Sequence, residues 1–241
     1  IALSRPTDLI SSSRLGDDVE AQGIAVYNWD GRSLRLQSEL VLGEDEVFET
    51  LGPFVLRTGE AGETVLMLPV TLKDKGSQVR SYTYSRGRLR EKRKGPLTEA
   101  DHWIHVLGSS RLGDSDRAYL VTALLPSEDD GDLVLYRMDL ANTRITLGSA
   151  VSTHQEGSRL LESVLIADVD RDGNTELLAP GPGMSSISIY SLERNRIREK
   201  EIFSSSGKVS TNLCPGDYDG DGISDVMFGL DDGTVVILFG Q

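Results

Sequence analysis

Val164-Leu165-Ile166-Ala167 runs straight into Asp168-Val169-Asp170-Arg171-Asp172-Gly173-Asn174-Thr175-Glu176 and leaves through Leu177-Leu178-Ala179-Pro180. The central nine residues place a carboxylate at positions 1, 3, 5 and 9, with glycine at position 6. A second stretch repeats the arrangement: Asp217-Tyr218-Asp219-Gly220-Asp221-Gly222-Ile223-Ser224-Asp225, followed by Val226-Met227-Phe228-Gly229. A turn built only for its Asp-Gly chemistry needs one or two acids, not four at matched spacing. Alternating carboxylates on a tight loop deliver hard oxygen ligands to one point, and Ca²⁺ takes six to eight such oxygens at about 2.3–2.6 Å. Glycine at position 6 permits the turn because it lacks a Cβ. The expected shells are Asp168, Asp170, Asp172 and Glu176, and Asp217, Asp219, Asp221 and Asp225. A backbone carbonyl from Asn174 or Ile223 completes each one. A loop that spends its oxygens on the ion leaves few positions open to substrate, so the expected role of the metal is structural.

Neither loop reads as an EF-hand, which needs a bidentate Glu at position 12 and flanking helices. Position 12 is Ala179 in one and Phe228 in the other. The segments that leave the loops are short apolar runs closed by Pro or Gly, the signature of buried strands. The loops therefore join strand to strand.

Working outward, the same layout recurs with a period of about fifty residues. The fourth unit continues from its loop into Ser186-Ile187-Ser188-Ile189-Tyr190, a turn at 193–195 and a strand over 197–202. The fifth has strands at 213–215, 225–229 and 234–239. A second unit reads as strands at 54–56, 64–70, 78–84 and 89–92, with turns at 59–62 and at Arg86-Gly87. A third reads as strands at 104–107, 118–125, 132–138 and 145–150, with turns at 113–116 and Asn142. The first is incomplete: a strand over 1–5, a polar insert, then 23–29, a turn at Asp30-Gly31, and 34–42. A helical stretch is conceivable only near 156–162. These units, 1–43, 44–95, 96–151, 152–203 and 204–241, predict one all-β domain: a β-propeller of about five visible four-stranded blades. The chain starts at what reads as a second strand and ends at a third, which favours membership of a larger ring.

The two Asp-x-Asp-x-Asp-Gly-x-x-Asp/Glu loops, each followed by an apolar strand, resemble FG-GAP repeats, also called VCBS repeats. Val226-Met227-Phe228-Gly229 and Leu238-Phe239-Gly240 fit the Phe-Gly ends of that family. The likeness is strong over 163–241 and a pattern match over 1–151. It implies an integrin-α-like propeller, usually seven-bladed, with Asp168, Asp170, Asp172, Asn174 and Glu176 around one Ca²⁺. Asp217, Asp219, Asp221, Ile223 and Asp225 would surround a second. The segment 113–117 lacks the glycine and the last acid and carries Arg117, so no metal is expected there.

A net charge of −13 over 241 residues argues against nucleic acid or an anionic membrane surface as a partner. No run of about 18 apolar residues is present, so no transmembrane helix or membrane insertion is expected. Cys214 is the single cysteine, which excludes an internal disulfide and a CxxC site. Beside Pro215 it reads as a buried structural thiol. The chain begins at Ile1, as a processed or trimmed segment would.

His102 and His105 lie three apart, on opposite faces of a strand, so a shared metal site is not expected. His102 is expected in a loop beside Trp103, and His105 in the strand. No nucleophile elbow, phosphate-cradling loop or His-Glu-x-x-His motif occurs. The basic run Arg86, Arg88, Arg90, Lys92, Arg93 and Lys94 has two readings: a patch for an acidic glycan or partner, or a solvated outer strand whose cations deter edge pairing. Trp29, Trp103, Tyr27, Tyr82, Tyr84, Tyr136 and Tyr190 are read as recurring in the third strands, either as packing between sheets or as a sugar-binding platform.

The sequence-level expectation is a non-catalytic, calcium-binding propeller with two Ca²⁺ ions. It would serve as a protein-interaction scaffold in a secreted, periplasmic or cell-surface setting. A lectin-like glycan binder is the first alternative. A carbohydrate-active enzyme such as a polysaccharide lyase, or its accessory domain, is the second.

Overall fold

The computed structural model describes residues 1–10, 16, 18–50, 52, 54–58, 63–110, 119–125, 131–137, 144–154, 163–193, 196–204 and 206–240. It is all-β, built of five antiparallel sheets that follow one another along the chain. Sheet 1 holds β1 (Ala2–Thr7), β2 (Glu20–Trp29) and β3 (Leu34–Val41). Sheet 2 holds β4 (Glu46–Val47), β5 (Phe54–Thr58), β6 (Glu63–Leu72), β7 (Gly76–Ser85) and β8 (Arg88–Lys94), with β4 and β5 both paired to β6. Sheet 3 is a meander of β9 (Trp103–Ser110), β10 (Tyr119–Leu125), β11 (Gly131–Arg137) and β12 (Arg144–Val151). Sheet 4 repeats that meander in β13 (Leu165–Ala167), β14 (Glu176–Pro180), β15 (Ser186–Glu193) and β16 (Arg196–Ser204). Sheet 5 holds β17 (Cys214–Gly216), β18 (Asp225–Gly229) and β19 (Val235–Leu238). The one helical turn among the described residues is a 3₁₀ turn, Pro182–Met184. No helix among them is long and apolar enough to cross a membrane.

The sheets stack in chain order because each alternates apolar side chains onto both faces, as strands covered on two sides require. Ile24 and Val26 of sheet 1 meet Leu66, Leu68 and Tyr82 of sheet 2. The opposite face of sheet 2, with Val65, Met67 and Val79, meets Ile104, Leu120 and Tyr136 of sheet 3. Val121, Ala123 and Leu135 then face Leu177, Tyr190 and Leu192 of sheet 4. Finally Leu178 and Ile187 face Val226 and Phe228 of sheet 5. Each fully buried side chain of this size contributes about 1.5–3 kcal/mol, so the four inter-sheet layers are the core.

Polar groups tie the same layers. Arg80 is 1% exposed and donates to Glu46 (2.9 Å from Nη1) and, at 3.4 Å, to Glu91. This ion pair fastens β4 to β7. The Arg80 guanidinium holds the Glu46 carboxyl below the usual carboxylate range.

Three expectations need correction. Cys214 is exposed, not buried, because β17 is an edge strand whose outer neighbour is solvent. Trp103 opens β9, the first strand of its sheet, so it does not share the third-strand position of the tyrosines. β4 was missed altogether, since two residues give no periodicity. The turns at 59–62, 113–116 and Asn142, the segment 113–117, most of the turn at 193–195 and the stretch 156–162 lie outside the described residues.

Candidate metal centres

The two acidic loops each connect the first and second strands of a sheet, β13 to β14 and β17 to β18. Their internal hydrogen bonds correspond position by position. The position 6 amide donates to the position 1 carboxylate: Gly173 N to Asp168 Oδ2, and Gly222 N to Asp217 Oδ2, both at 3.1 Å. The position 5 amide donates to position 3, Asp172 N to Asp170 at 3.3 Å and Asp221 N to Asp219 at 3.1 Å. The position 7 amide donates to position 5, Asn174 N to Asp172 at 2.8 Å and Ile223 N to Asp221 at 2.7 Å. The position 9 acid reaches back to the position 2 amide, Val169 N to Glu176 at 3.2 Å and Tyr218 N to Asp225 at 2.6 Å.

This lacing curls each loop so that carboxylates from positions 1, 3 and 9 converge. Asp168, Asp170 and Glu176 offer oxygens within 4.8 Å of one another, and so do Asp217, Asp219 and Asp225. Each cluster could hold a metal ion. Three carboxylates at that separation repel one another unless a cation stands between them. Asp172 and Asp221, expected as ligands, each hold a loop amide through Oδ1. Asn174 and Ile223, expected to give carbonyls, contribute the donating N–H of those bonds.

Burial is graded across each cluster. Glu176 is 1% exposed and Asp225 is fully buried, while Asp170 and Asp219 face solvent. The buried acid anchors the loop and the exposed one opens the site to ions. Asp225 accepts from Gly240 N at 2.9 Å as well as from Tyr218 N. Those amides hold its carboxyl below the usual carboxylate range, Gly240 contributing most. Asp168 Oδ1 is buried and accepts no hydrogen bond. A buried acceptor lone pair with no donor is costly, and a cation at the cluster would satisfy it. The donors are all oxygen, which suits a hard cation.

The two loops are neighbours in space. Arg171 Nη1 lies 3.9 Å from where a Cβ on Gly222 would stand. Gly240 is wedged between them: a Cβ there would sit 2.8 Å from Ser224 O and 2.9 Å from Val169 O. Beside the first loop a cavity of about 380 Å³ opens between sheets 4 and 5. Asp170, Glu176 and Ser224 form its polar end, and Ile189, Phe203, Val226 and Leu238 form its walls.

Sequence reasoning missed position 4. Arg171 and Gly220 both take positive φ, 56° and 84°, alongside the position 6 glycines at 86° and 83°. Gly220 was the available signal. It also missed Gly240, whose role depends on a contact across fifteen residues of chain.

His102 and His105 fall in the elements expected of them. His102 precedes β9, and His105 is a buried strand residue stacked on Trp103 at 5.2 Å. His154 joins them edge-on, 5.1 Å from Trp103. From Arg88 on, the basic run forms β8, an exposed edge strand, with Arg86 in the turn before it. A bulge opposite Ser81/Tyr82 interrupts its alternation. Among the recurrent tyrosines, Tyr82, Tyr136 and Tyr190 are buried between sheets. No protein-family model matches the chain, and no curated protein matches it either.

Proposed function

We propose that the five sheets are successive blades of a β-propeller of the FG-GAP kind, that each acidic loop binds Ca²⁺, and that the protein is a non-catalytic recognition scaffold. The observation that carries the reading is the pair of laced loops at the same place in adjacent sheets, each gathering three carboxylates. The buried, unpartnered oxygen of Asp168 adds to it. In this reading the ion pins the loop and sets the angle at which β14 or β18 enters its sheet. The burial of Tyr82, Tyr136 and Tyr190 favours packing over a repeated sugar platform, and so favours a protein partner over a glycan. A secreted or cell-surface setting, where calcium is millimolar, suits sites with this many solvent-facing acids.

The test is calorimetric titration of the chelator-treated chain with Ca²⁺, Mg²⁺ and Zn²⁺, paired with thermal melts. Two saturable Ca²⁺ sites and a raised melting temperature are expected. No heat and superimposable melts with and without chelator would overturn the metal reading. A glycan array in millimolar Ca²⁺ separates the two ligand classes, with silence expected from a folded sample.

A further inference from the structure

We propose that β8 and the turn before it form a docking surface for an extended, acidic segment of a partner protein with its carboxylates at alternate positions. The inference rests on the recognition-scaffold reading and deepens it by naming the partner's chemistry. It does not rest on the metal.

Residues 86–94 hold six cations and one acid, on a chain whose net charge is −13. Every residue of β8 is exposed except Leu89, which packs into the layer between sheets 1 and 2. The single acid is already engaged. Glu91 accepts from Arg80 Nη1 at 3.4 Å and lies 3.7 Å from Lys94. Arg86, Arg88, Arg90 and Arg93 pair with no carboxylate among the described residues. Arg86 also takes a left-handed φ of 51°, where Asn or Gly would serve the hairpin better. Holding a larger side chain there costs about 1 kcal/mol, and no ion pair within the described chain offsets it.

Protection of the sheet edge is a reason for one or two such cations, but two other devices already guard this edge. Tyr82 pairs with Glu91 and Ser81 with Arg93, so Lys92 is the inserted residue of a bulge. The Leu89 amide is taken by Ser38 Oγ at 2.9 Å. Both devices also work against addition of a partner strand, which leaves recognition to the side chains. Arg88 and Arg90 stand on the face opposite Leu89, about 6.8 Å apart. Alternate side chains of an extended peptide have the same spacing, and each guanidinium can clasp a carboxylate through two parallel hydrogen bonds. The seven residues of β8 span about 23 Å. The rest of the chain is strongly acidic, so a short acidic segment fits where a long nucleic acid or sulfated polysaccharide would be repelled beyond the strand's ends.

Fluorescence anisotropy tests this, with a labelled peptide of alternating Glu and Ser titrated by the full chain at low and at physiological salt. Saturable binding that weakens as salt rises is expected. Arg88→Glu combined with Arg90→Glu should weaken it about tenfold or more. Lys73→Glu combined with Lys75→Glu makes the same change in net charge in the turn between β6 and β7, and should leave binding unchanged. Circular dichroism checks that both double variants keep the wild-type fold. A peptide of the same composition with its acids in one block should bind several-fold more weakly. Absence of binding at low salt, equal behaviour of the two double variants, or a block peptide that binds as well would each overturn the proposal. Tighter binding by a sulfated polysaccharide or a single-stranded oligonucleotide would overturn it too, by assigning the surface to another class of partner. A folded chain that takes up two calcium ions but no peptide would lose this surface and keep the calcium reading, whereas peptide binding without calcium uptake would do the reverse.

Discussion

The two acidic loops share one hydrogen-bond pattern yet differ in how well they hold themselves together. In the second, Asp217 uses both oxygens, accepting from Gly220 N at 2.7 Å and Gly222 N at 3.1 Å. In the first, Asp168 accepts from Gly173 N alone, and its other oxygen is buried without a partner. Position 4 differs as well. Gly220 adopts its left-handed conformation freely, whereas Arg171 is forced into it at a cost of about 1 kcal/mol. The second loop is close to self-sufficient, and the first is poised for a cation to complete it. If the loops bind metal as proposed, the same sequence motif gives two different dependences on it.

The position 9 acids give the largest effect with which to break this comparison. Glu176→Ala strips a buried carboxylate from Val169 N and should cost about 2 kcal/mol in urea unfolding. Asp225→Ala should cost more, because Tyr218 N and Gly240 N both lose their acceptor and the junction between the loops opens. Equal losses would mean that Gly240 does not clasp the second loop.

Position 1 sharpens the contrast in metal dependence. In chelator, Asp217→Ala should destabilise by about 1 kcal/mol through its lost hydrogen bonds. Asp168→Ala should be near neutral there, since it removes an unsatisfied oxygen along with one bond. In calcium both should lose whatever stabilisation the proposed ion confers on the wild-type chain. Melts with the two variants reversed in chelator would contradict the account of the first loop.

Position 4 gives a smaller, cleaner change. Arg171→Gly should stabilise the metal-free chain by about 1 kcal/mol, and Gly220→Ala should destabilise it by about the same. Chemical denaturation in chelator measures both. The smallest effect is in acid. The folded-state value of Asp225 lies below its unfolded one, so its contribution is complete above about pH 4 and is lost as pH falls through the lower folded value. Amide exchange at Tyr218 and Gly240 should stay slow until then, and early loss of protection would break the assignment.

Much of the strand order was legible because alternation and Asp/Gly turns are local signals. The meander from Leu165 to Ser204 follows the expected strands closely, and both loops sit between the strands assigned to them. What escaped is non-local. Cys214 looked buried because its neighbours are apolar, yet an edge strand on the last sheet leaves it exposed. His154 meets the stacked Trp103 and His105 edge-on across about fifty residues of chain, a contact no periodicity announces.

By itself the sequence determined the all-β class, the five-unit rhythm and which carboxylates could meet, since side-chain alternation and loop chemistry act within a few residues. Only the tertiary structure decided which oxygens converge, that positions 5 and 7 lace the loop, and that Gly240 joins the two loops. It alone decided that Tyr82 and Tyr190 are core while Tyr27 is surface, although all three follow the same bulge. Burial belongs to whatever packs against a face, and that neighbour is set by the stacking of whole sheets.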